Sequence, residues 1–356
     1  MTSIAQVPPP QIVVGIDTHK YVHVAVAVDP FGALLGSTTI SADSGGYARL
    51  ATWMGELGAV RVCGIEGTGS YGAGVTSFLR RRGVKVLEVN RPDRRVRRLR
   101  GKSDPLDAEN AARAVLGGIA TAVPKRADGR VEMLRHVKRA RDTAVKARTQ
   151  AMITLKALLV TAPTEVRERL EGLPNKTLIG RCAALRPGPL STPTASTKQA
   201  LRALARRWLA LSEEIEAHDA TLDDLIRAHA PQLLQPFGIG VDTAAAMLIL
   251  AGDNPERIKS EAAFAKLCGV CPIPASSGRT IRHRLNRGGD RQANAALYRV
   301  VVVRMRFHQP TRDYVARRTL EGKTKAEIIR CLKRFVAREI YHLIQAPARS
   351  TIPAAA

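Results

Sequence analysis

Four carboxylates stand where a metal-dependent phosphoryl-transfer site would need them. Asp17 and Glu66 each follow a short apolar run rich in β-branched residues, so each is expected at the end of a β-strand. Asp104 and Asp107 are three residues apart, with Pro105 predicted at the first position of a helix, so both carboxylates can face the same way. Four convergent carboxylates can hold two Mg²⁺ ions roughly 3.5–4 Å apart, which supports in-line displacement at phosphorus.

Each carboxylate also has a structural interpretation. Asp104 is suited to cap its helix, and Asp17 and Glu66 are suited to cap the turns that follow their strands. One such residue alone favours a cap. Four of them in a chain with a net charge of +25 favour a metal site, because substrate phosphates and metal ions would meet there.

A second candidate is a Pro/Gly-rich loop that carries two serines and is followed at once by arginines. A hydroxyl there could lie beside a phosphate held by guanidinium groups. A serine nucleophile needs a base or a metal, and no Ser-His-Asp spacing is present, so a metal is the better activator. The alternative is a polar turn whose arginines contact phosphate. The residues concerned are Ser276, Ser277, Gly278, Arg279, Arg282 and Arg284.

Two further motifs argue against other chemistry. Gly101-Lys102-Ser103 and Gly322-Lys323-Thr324 both lack the upstream glycine of a phosphate-binding P-loop, so no nucleotide cofactor is expected. Cys268-x-x-Cys271 has no second pair at zinc spacing, which favours small buried side chains over a metal site.

The apolar periodicity predicts a mixed sheet flanked by helices in the first third of the chain. Three successive strand patterns are followed by alternating helix and strand patterns. We expect strands at 12–17, 22–28, 33–40, 60–65 and 84–89, and helices at 46–57, 71–82 and 91–117.

The middle of the chain changes to helical periodicity. Two long apolar-periodic stretches, 130–161 and 198–229, are separated by the Pro/Ser/Thr-rich segment 186–197. They predict an antiparallel helical hairpin, either a coiled coil used for dimerisation or an ordinary packed helix pair. After it, Gly238 and Gly240 form a turn that opens an apolar helix, which is typical of a helix-hairpin-helix contact with phosphate.

The positive charge of the 356 residues is concentrated. Segments 80–102, 130–148 and 279–318 carry net charges of +9, +5 and +9. A solvated surface would interleave both signs, so nucleic acid is the expected partner. No apolar run reaches membrane-spanning length, no secretory signal is present, and five cysteines do not form a disulfide framework. We therefore expect a cytoplasmic protein with no membrane partner.

These motifs together resemble the insertion sequence 110 family of transposases, which includes the insertion sequence 1111 group and the pilin-gene invertases. Residues 14–20, 64–71 and 102–108 resemble its three acidic motifs. Residues 234–296, with Gly238-Ile239-Gly240 and Ser277-Gly278, resemble its C-terminal transposase domain. The order and spacing of these motifs cover nearly the whole chain.

The resemblance implies an α/β plus α fold. A RuvC-like, RNase H-type mixed-sheet domain would occupy 11–122, a helical or coiled-coil connector 123–231, and a mostly helical transposase domain with a helix-hairpin-helix-like segment 232–345. A leader, 1–10, and a disordered tail, 346–356, complete the division. The acidic set maps onto Asp17, Glu66, Asp104 and Asp107. The family's serine precedes a glycine and so maps onto Ser277, with Ser276 as the alternative.

The resemblance also implies a prokaryotic, nucleoid-associated protein, its partners and a mechanism. In this family a structured non-coding RNA of the element, the bridge RNA, pairs with target and donor DNA, and a serine forms a transient phosphoserine link. The carboxylates would hold Mg²⁺, or Mn²⁺ in its place, and subunits would form homodimers or tetramers with composite active sites. Nucleic-acid contacts are expected at Arg94, Arg95, Arg97, Arg98, Arg100, Lys102, Gly238, Gly240, Arg279, Arg282, Arg284, Arg287 and Arg291.

Two rival hypotheses remain. In a RuvC-like junction endonuclease the carboxylates would activate water and Ser277 would be structural. In a non-catalytic nucleic-acid-binding protein all four carboxylates would be caps.

Overall fold

The computed structural model describes residues 10–90, 103–279 and 283–346, which form two compact units. The first unit combines the chain up to Gly129 with the segment Ala251–Lys259, and the second combines Arg130–Leu250 with the chain from Ser260 onward. No helix among the described residues has the length and hydropathy that a membrane crossing requires. The five cysteines are free thiols.

The first unit is built on a five-stranded mixed sheet with strand order β3-β2-β1-β4-β5. Strands β1, β2 and β3 pair antiparallel, whereas β1–β4 and β4–β5 pair parallel. The five predicted strands are thus confirmed to within two residues. The elements are β1 (Gln11–Thr18), β2 (Val22–Val28), β3 (Leu34–Ser41), α1 (Ser44–Leu57), β4 (Ala59–Glu66), α2 (Ala73–Arg81), β5 (Val86–Val89) and α3 (Asp104–Leu116).

Helices cover both faces of this sheet, which explains why the central strands read as continuous apolar runs. Side chains alternate between the two faces along a strand. Ile12, Val14 and Ile16 of β1 pack in the core that also contains Leu50 of α1 and Leu79 of α2. The odd-numbered residues of β1 and the even-numbered residues of β4 face α3, beginning with Val13 and Val62.

Helix α3 approaches the sheet closely because two glycines face it. Gly15 of β1 pairs with Gly64 of β4 in the parallel ladder. A Cβ atom at Gly15 would overlap the backbone oxygen of Ala108 and the backbone nitrogen of Ala112. A Cβ atom at Gly64 would lie 2.6 Å from a methyl carbon of Val115. The glycine pair therefore lets the helix backbone rest directly on the strands.

The start of α3 differs slightly from the expected one. Ser103 is the N-cap residue, so the helix begins at Asp104 and Pro105 occupies its second position rather than its first. Asp104 and Asp107 lie in the first turn, where negative charge is favoured by the helix dipole. Residues 91–102 of the predicted helix 91–117, including Arg94, Arg95, Arg97, Arg98, Arg100 and Lys102, lie outside the described residues.

The segment Ala251–Lys259 belongs to the first unit, to which hydrogen bonds between residues distant in sequence attach it. Asn254, which is buried, donates to the carbonyl of Pro124 at 3.1 Å and accepts from the backbone nitrogen of Arg126 at 2.8 Å. The backbone nitrogen of Gly129 donates to Asp253 at 3.3 Å. No local sequence pattern predicts that residues 253 and 254 bond to residues 124–129.

The second unit begins with the predicted antiparallel hairpin. Arg141 of the first long helix bonds Asp219 of the second at 2.9 Å, and Arg148 bonds Ser212 at 3.3 Å, so the sequence separation shrinks along the pair as antiparallel packing requires. The elements of this unit are α4 (Arg130–Val160), α5 (Thr164–Leu170), α6 (Asn175–Ala183), α7 (Pro193–His229), α8 (Val241–Ala251), α9 (Glu261–Leu267), β6 (Ile273–Pro274), β7 (His283–Arg284), α10 (Arg291–Phe307), α11 (Gln309–Leu320) and α12 (Lys325–Gln345).

One predicted boundary of the hairpin, the start of its second helix, is wrong. The Pro/Ser/Thr-rich segment 186–197 was assigned as a separator, but α7 already begins at Pro193. Thr192 is its N-cap, accepting a hydrogen bond from the backbone nitrogen of Ala195 at 3.2 Å, and proline fits the first helical position. Residues typical of a linker are here the start signal of a helix.

A charge cluster joins α4, α8 and α10 within the second unit. The Asp242 carboxylate accepts from Lys138 at 2.6 Å, from Arg299 at 2.6 Å and from Arg141 at 3.3 Å. Burial opposes ionisation of Asp242, but these three cations hold its pKa below the ordinary value. The sequence motif around Gly238 and Gly240 is thereby anchored at the start of α8.

We predict that Gly15→Ala destabilises the first unit, because its methyl group must displace the backbone of α3. The expected cost is about 3 kcal/mol, the upper range of overpacking penalties. Differential scanning calorimetry, which resolves separate transitions where units unfold independently, would show the lowered Tm. Gly55→Ala is the matched control, since Gly55 is exposed in α1 with open space around it. It should raise stability by roughly 0.5–1 kcal/mol. An unchanged Tm for Gly15→Ala would contradict the prediction.

Candidate metal centre

The ends of β1 and β4 form one wall of the candidate site. The two strands are parallel neighbours, with Ile16 opposite Ile65, so Asp17 and Glu66 follow at the same edge of the sheet. Thr18 Oγ1 donates to the carbonyl oxygen of Glu66 at 2.9 Å and ties the two strand ends together. By strand alternation Asp17 and Glu66 share the face that carries the glycine pair.

The first turn of α3 supplies the opposite wall. Because α3 lies on the Gly15/Gly64 face, its N-terminal residues meet the same edge of the sheet. Asp107 is buried, with 2% of its surface exposed, and Asp17 is nearly as buried at 8%. Asp104 keeps about half of its side chain in solvent. The predicted spacing of the two α3 carboxylates therefore gives one buried and one accessible ligand group.

A histidine that was not predicted as a site residue lies between these walls. His19 Nε2 is 3.2 Å from Asp17 Oδ2 and 3.4 Å from Asp104 Oδ1. One potential ligand atom from each of these three residues lies within 4.8 Å of the other two. The sequence did contain a signal for His19, because strand alternation places positions 17 and 19 on the same face at the end of β1.

The electrostatics of the cluster favour a bound cation. Burial raises the pKa of Asp17; His19 lowers it, and the nearby carboxylates of Asp107 and Asp104 raise it again, so the net shift is upward. A buried carboxylate surrounded by like charges is destabilised when ionised. A divalent cation would reverse this effect.

The donor set is consistent with such an ion. Asp17, Asp104 and His19 are the three residues whose potential ligand atoms approach one another, and Asp107 is close enough to act on the charge of Asp17. Glu66 lies at the neighbouring strand end. Carboxylate oxygens suit Mg²⁺ and Mn²⁺, and an imidazole nitrogen is a further ligand for transition metals.

The serine loop belongs to the second unit. Strands β6 and β7 form a small antiparallel pair, and the connection between them carries both serines. Ser276, Ser277 and Gly278 are exposed, and Gly278 has a positive φ of 55°. This pair of strands was not predicted, because two residues per strand are too few to produce a periodicity.

The predicted nucleic-acid contacts of the second unit lie largely at its surface. Arg279, Arg284, Arg287 and Arg291 are exposed, whereas Arg282 lies outside the described residues. Gly240 is exposed, and Gly238 is half-buried with a positive φ of 81°. These positions remain predictions of binding.

We predict that Asp17→Asn stabilises the protein when divalent ions are absent. The folded-state pKa of Asp17 is raised, so its ionised form costs stability above that pKa, and the cost disappears as the pH falls through it. In EDTA at neutral pH the Tm of the variant should exceed the wild-type Tm by a few degrees, and the difference should shrink on acidification.

The same thermal-shift experiment tests metal binding. Mg²⁺ or Mn²⁺ should raise the Tm of the wild-type protein by mass action but not that of Asp17→Asn. Glu56→Gln, an exposed carboxylate of α1, is the control and should behave like the wild type. A lower Tm for Asp17→Asn in EDTA would show that the carboxylate stabilises the fold instead.

Two family profiles match most of the chain. Residues 14–162 match a DEDD-type IS110 profile described as "Transposase", and residues 230–316 match the profile "Transposase IS116/IS110/IS902 family". The first match contains Asp17, Glu66, Asp104 and Asp107, and the second contains Ser277.

The chain is similar to two insertion-element proteins. The "Insertion element IS110 uncharacterized 43.6 kDa protein" of Streptomyces coelicolor is 32% identical over 134 residues, which are 37% of this chain and 33% of that protein. The "Insertion element IS900 uncharacterized 42 kDa protein" of Mycobacterium paratuberculosis is 29% identical over 159 residues, 42% of this chain and 40% of that protein. The matched regions thus span well under half of either relative. With both domain profiles matched in order, the chain belongs to the IS110 family of insertion-element transposases.

Proposed function

We propose that this transposase cuts and rejoins DNA with a divalent-metal site on the first unit and Ser277 as its nucleophile. The observation that carries the proposal is the buried Asp17 carboxylate, which lies with His19 and Asp104 at one edge of the sheet. A carboxylate that is buried among like charges is expected where a cation binds, and a protein that only binds nucleic acid does not require one there. The basic segments of the sequence supply the phosphate contacts that position a substrate.

The proposal includes a RuvC-like, RNase H-type identity for the first unit. Support comes from its five-stranded mixed sheet, with acidic residues at the ends of two adjacent parallel strands and in the first turn of a helix that crosses them. The acidic set Asp17, Glu66, Asp104 and Asp107 would then hold Mg²⁺ or Mn²⁺.

A metal ion at these carboxylates would supply Lewis-acid stabilisation of charge on phosphate oxygens. The residues of the chain contribute orientation. Thr18 fixes the end of β1 against β4, and the glycine pair fixes α3, so the ligand groups are held in place before an ion binds. His19 adds a nitrogen donor to a set that is otherwise carboxylate.

The proposed covalent step is a transesterification. Ser277 Oγ attacks a DNA phosphorus and loses its proton, the deoxyribose oxygen leaves and gains a proton, and a phosphoserine ester forms. The reverse attack by a deoxyribose hydroxyl releases Ser277 and rejoins DNA. The ester retains the bond energy, so no nucleotide hydrolysis is needed.

The binding partners of the chain are also part of this proposal. They are the DNA of element ends and target, a bridge RNA that selects them, and further copies of the chain in a dimer or tetramer. The proposed contacts are the basic residues and glycines predicted from the sequence. The competing hypotheses are a junction endonuclease, in which water replaces Ser277, and a binding protein without catalysis.

We predict that Ser277→Ala abolishes covalent protein–DNA adducts. Wild-type protein would be incubated with element-junction DNA, Mg²⁺ and the element's non-coding RNA, denatured and separated on a gel. A slowly migrating adduct is expected for wild type and for the matched control Ser276→Ala. An adduct in Ser277→Ala that is lost in Ser276→Ala would reassign the nucleophile.

The reaction products distinguish the proposed transesterification from the two competing hypotheses. Hydrolysed DNA ends without any adduct would favour the junction endonuclease. Binding that needs no metal and produces no nick would favour the non-catalytic protein. Omission of the RNA should abolish adducts on the element junction, and adducts formed equally well without it would contradict RNA guidance.

We predict that His19 is a ligand of the bound ion. Mn²⁺ is the probe, because pulsed electron paramagnetic resonance detects a directly bound ¹⁴N nucleus. The nitrogen coupling expected for wild-type protein should vanish in His19→Asn, and Mn²⁺ affinity should fall roughly 10-fold, equivalent to about 1.4 kcal/mol.

His136→Asn is the control, since His136 lies exposed on α4. It should keep both the coupling and the affinity. Mn²⁺ bound at Asp17 and Asp104 without a nitrogen coupling would remove His19 from the ligand set and leave an all-oxygen site. Failure of Mn²⁺ to bind at all would contradict the metal centre itself.

A further inference from the structure

The connection between the two long helices is larger than a turn requires. Helix–helix connections in bundles usually take about 2–8 residues. Here residues 161–192, which we call the tip, form two additional helices, α5 and α6. The tip has its own apolar core, in which Val166, Leu170 and Ile179 pack with Leu155 of α4 and Leu201 of α7. The chain thus builds a small folded element at the end of the hairpin.

The tip and the start of α7 border a half-open cavity of about 280 Å³. Its apolar wall comes from Val166, Leu170 and Leu185. Val166 and Leu170 are almost completely buried in the tip core and make the wall rigid, whereas the half-buried Leu185 and the exposed Ala184 supply most of its accessible apolar surface. A flat apolar group could rest against it.

Three cations line the same cavity. Arg169 of α5, Arg181 of α6 and Lys198 of α7 come from three different helices, and Glu165 is the one acidic residue of the lining. Within residues 103–279 and 283–346, none of these three cations forms an ion pair, defined as a nitrogen–oxygen distance of 4 Å or less to a carboxylate. By contrast, the neighbouring Arg167 is paired with Glu171.

The uncompensated charge indicates an anionic ligand. Three cations and a single carboxylate in one lining leave a net positive charge, which a bound anion would neutralise. The adjacent apolar wall specifies the rest of the ligand: one part should be flat and apolar, and another should carry negative charge. An unpaired nucleotide has both parts, a base with an apolar face and a phosphate.

We propose that this cavity binds an unpaired nucleotide of a single-stranded nucleic acid. The base would enter against Val166, Leu170 and Leu185, and its phosphates would contact Arg169, Arg181 and Lys198. The inference rests on the proposed function to the extent that the chain works on nucleic acid. A base in a duplex is stacked and paired, so the cavity would select single-stranded segments.

The test is photo-crosslinking with the full-length protein. The probes are short single-stranded oligonucleotides that carry 4-thiothymidine (DNA) or 4-thiouridine (RNA), and the same strands annealed to complements. Crosslinked peptides are identified by mass spectrometry after proteolysis. We expect crosslinks within residues 161–198 from single strands, with yields at least about 5-fold higher than from duplexes. The more reactive of the two single strands identifies the natural ligand as DNA or RNA.

The variant that tests the cations carries Arg169→Gln, Arg181→Gln and Lys198→Gln. Its crosslinks at the tip should fall at least about 5-fold, and the salt dependence of single-strand binding should weaken by a slope of about 2, as expected for three lost phosphate contacts. The matched control carries Lys176→Gln, Arg206→Gln and Arg207→Gln, which removes the same charge from exposed positions outside the cavity. It should retain most of the tip crosslinks.

The possible failures are distinguishable. Equal labelling by duplexes, unchanged labelling in the cavity variant, or crosslinks confined to residues outside 161–198 would each overturn the inference and leave the proposed function intact. Absence of crosslinks anywhere in the chain would overturn the inference, and absence of the Ser277 adduct on element-junction DNA as well would overturn both.

Discussion

The candidate metal centre depends on one backbone contact, that of α3 with the glycine pair of β1 and β4. Gly15 and Gly64 are neighbours in the parallel ladder, and a side chain at either would collide with α3. The contact determines how near Asp104 and Asp107 come to the strand ends. A longer distance would separate Asp104 from His19 and leave Asp17 buried without its neighbours. Packing in the middle of the sheet therefore controls the geometry of the candidate site at its edge.

The same contact explains why the cluster tolerates an electrostatic cost. Asp17 and Asp107 are both buried, and their mutual repulsion would favour a separation of α3 from the sheet. The apolar contacts of α3 with Val13, Val62 and the alanines along the helix oppose that separation. The fold thus holds like charges together, as expected of a site preorganised for a cation.

Much of the first unit could be predicted from sequence because its strands are buried on both faces. β-branched runs such as those of β1 and β4 have few alternative structures, and a carboxylate at the end of such a run is conspicuous. His19 was missed because a single histidine after a strand is common and its meaning depends on Asp104, 85 positions away. The attachment of Asn254 to Pro124 is equally non-local.

The second unit was harder to predict because its signals have two meanings. Proline and threonine indicate a linker, yet Thr192 and Pro193 start α7, and Pro163 and Pro174 immediately precede α5 and α6. Only the packing of the apolar positions against α4 and α7 decides between the two meanings. Short helices give too few positions for that pattern to be read from sequence.

Among the residues that the structure describes, two groups of positive charges differ in how they are paired. Lys138, Arg141 and Arg299 meet carboxylates, chiefly Asp242, and this balanced cluster holds three helices together. Around the tip cavity the cations outnumber the one glutamate, and they contribute no pairing that would stabilise the hairpin. A bound anion of the kind proposed would supply the missing counter-charge there. The net charge of +25 is therefore a poor guide to binding until the internally paired cations are subtracted. The remaining ones indicate where an anion belongs.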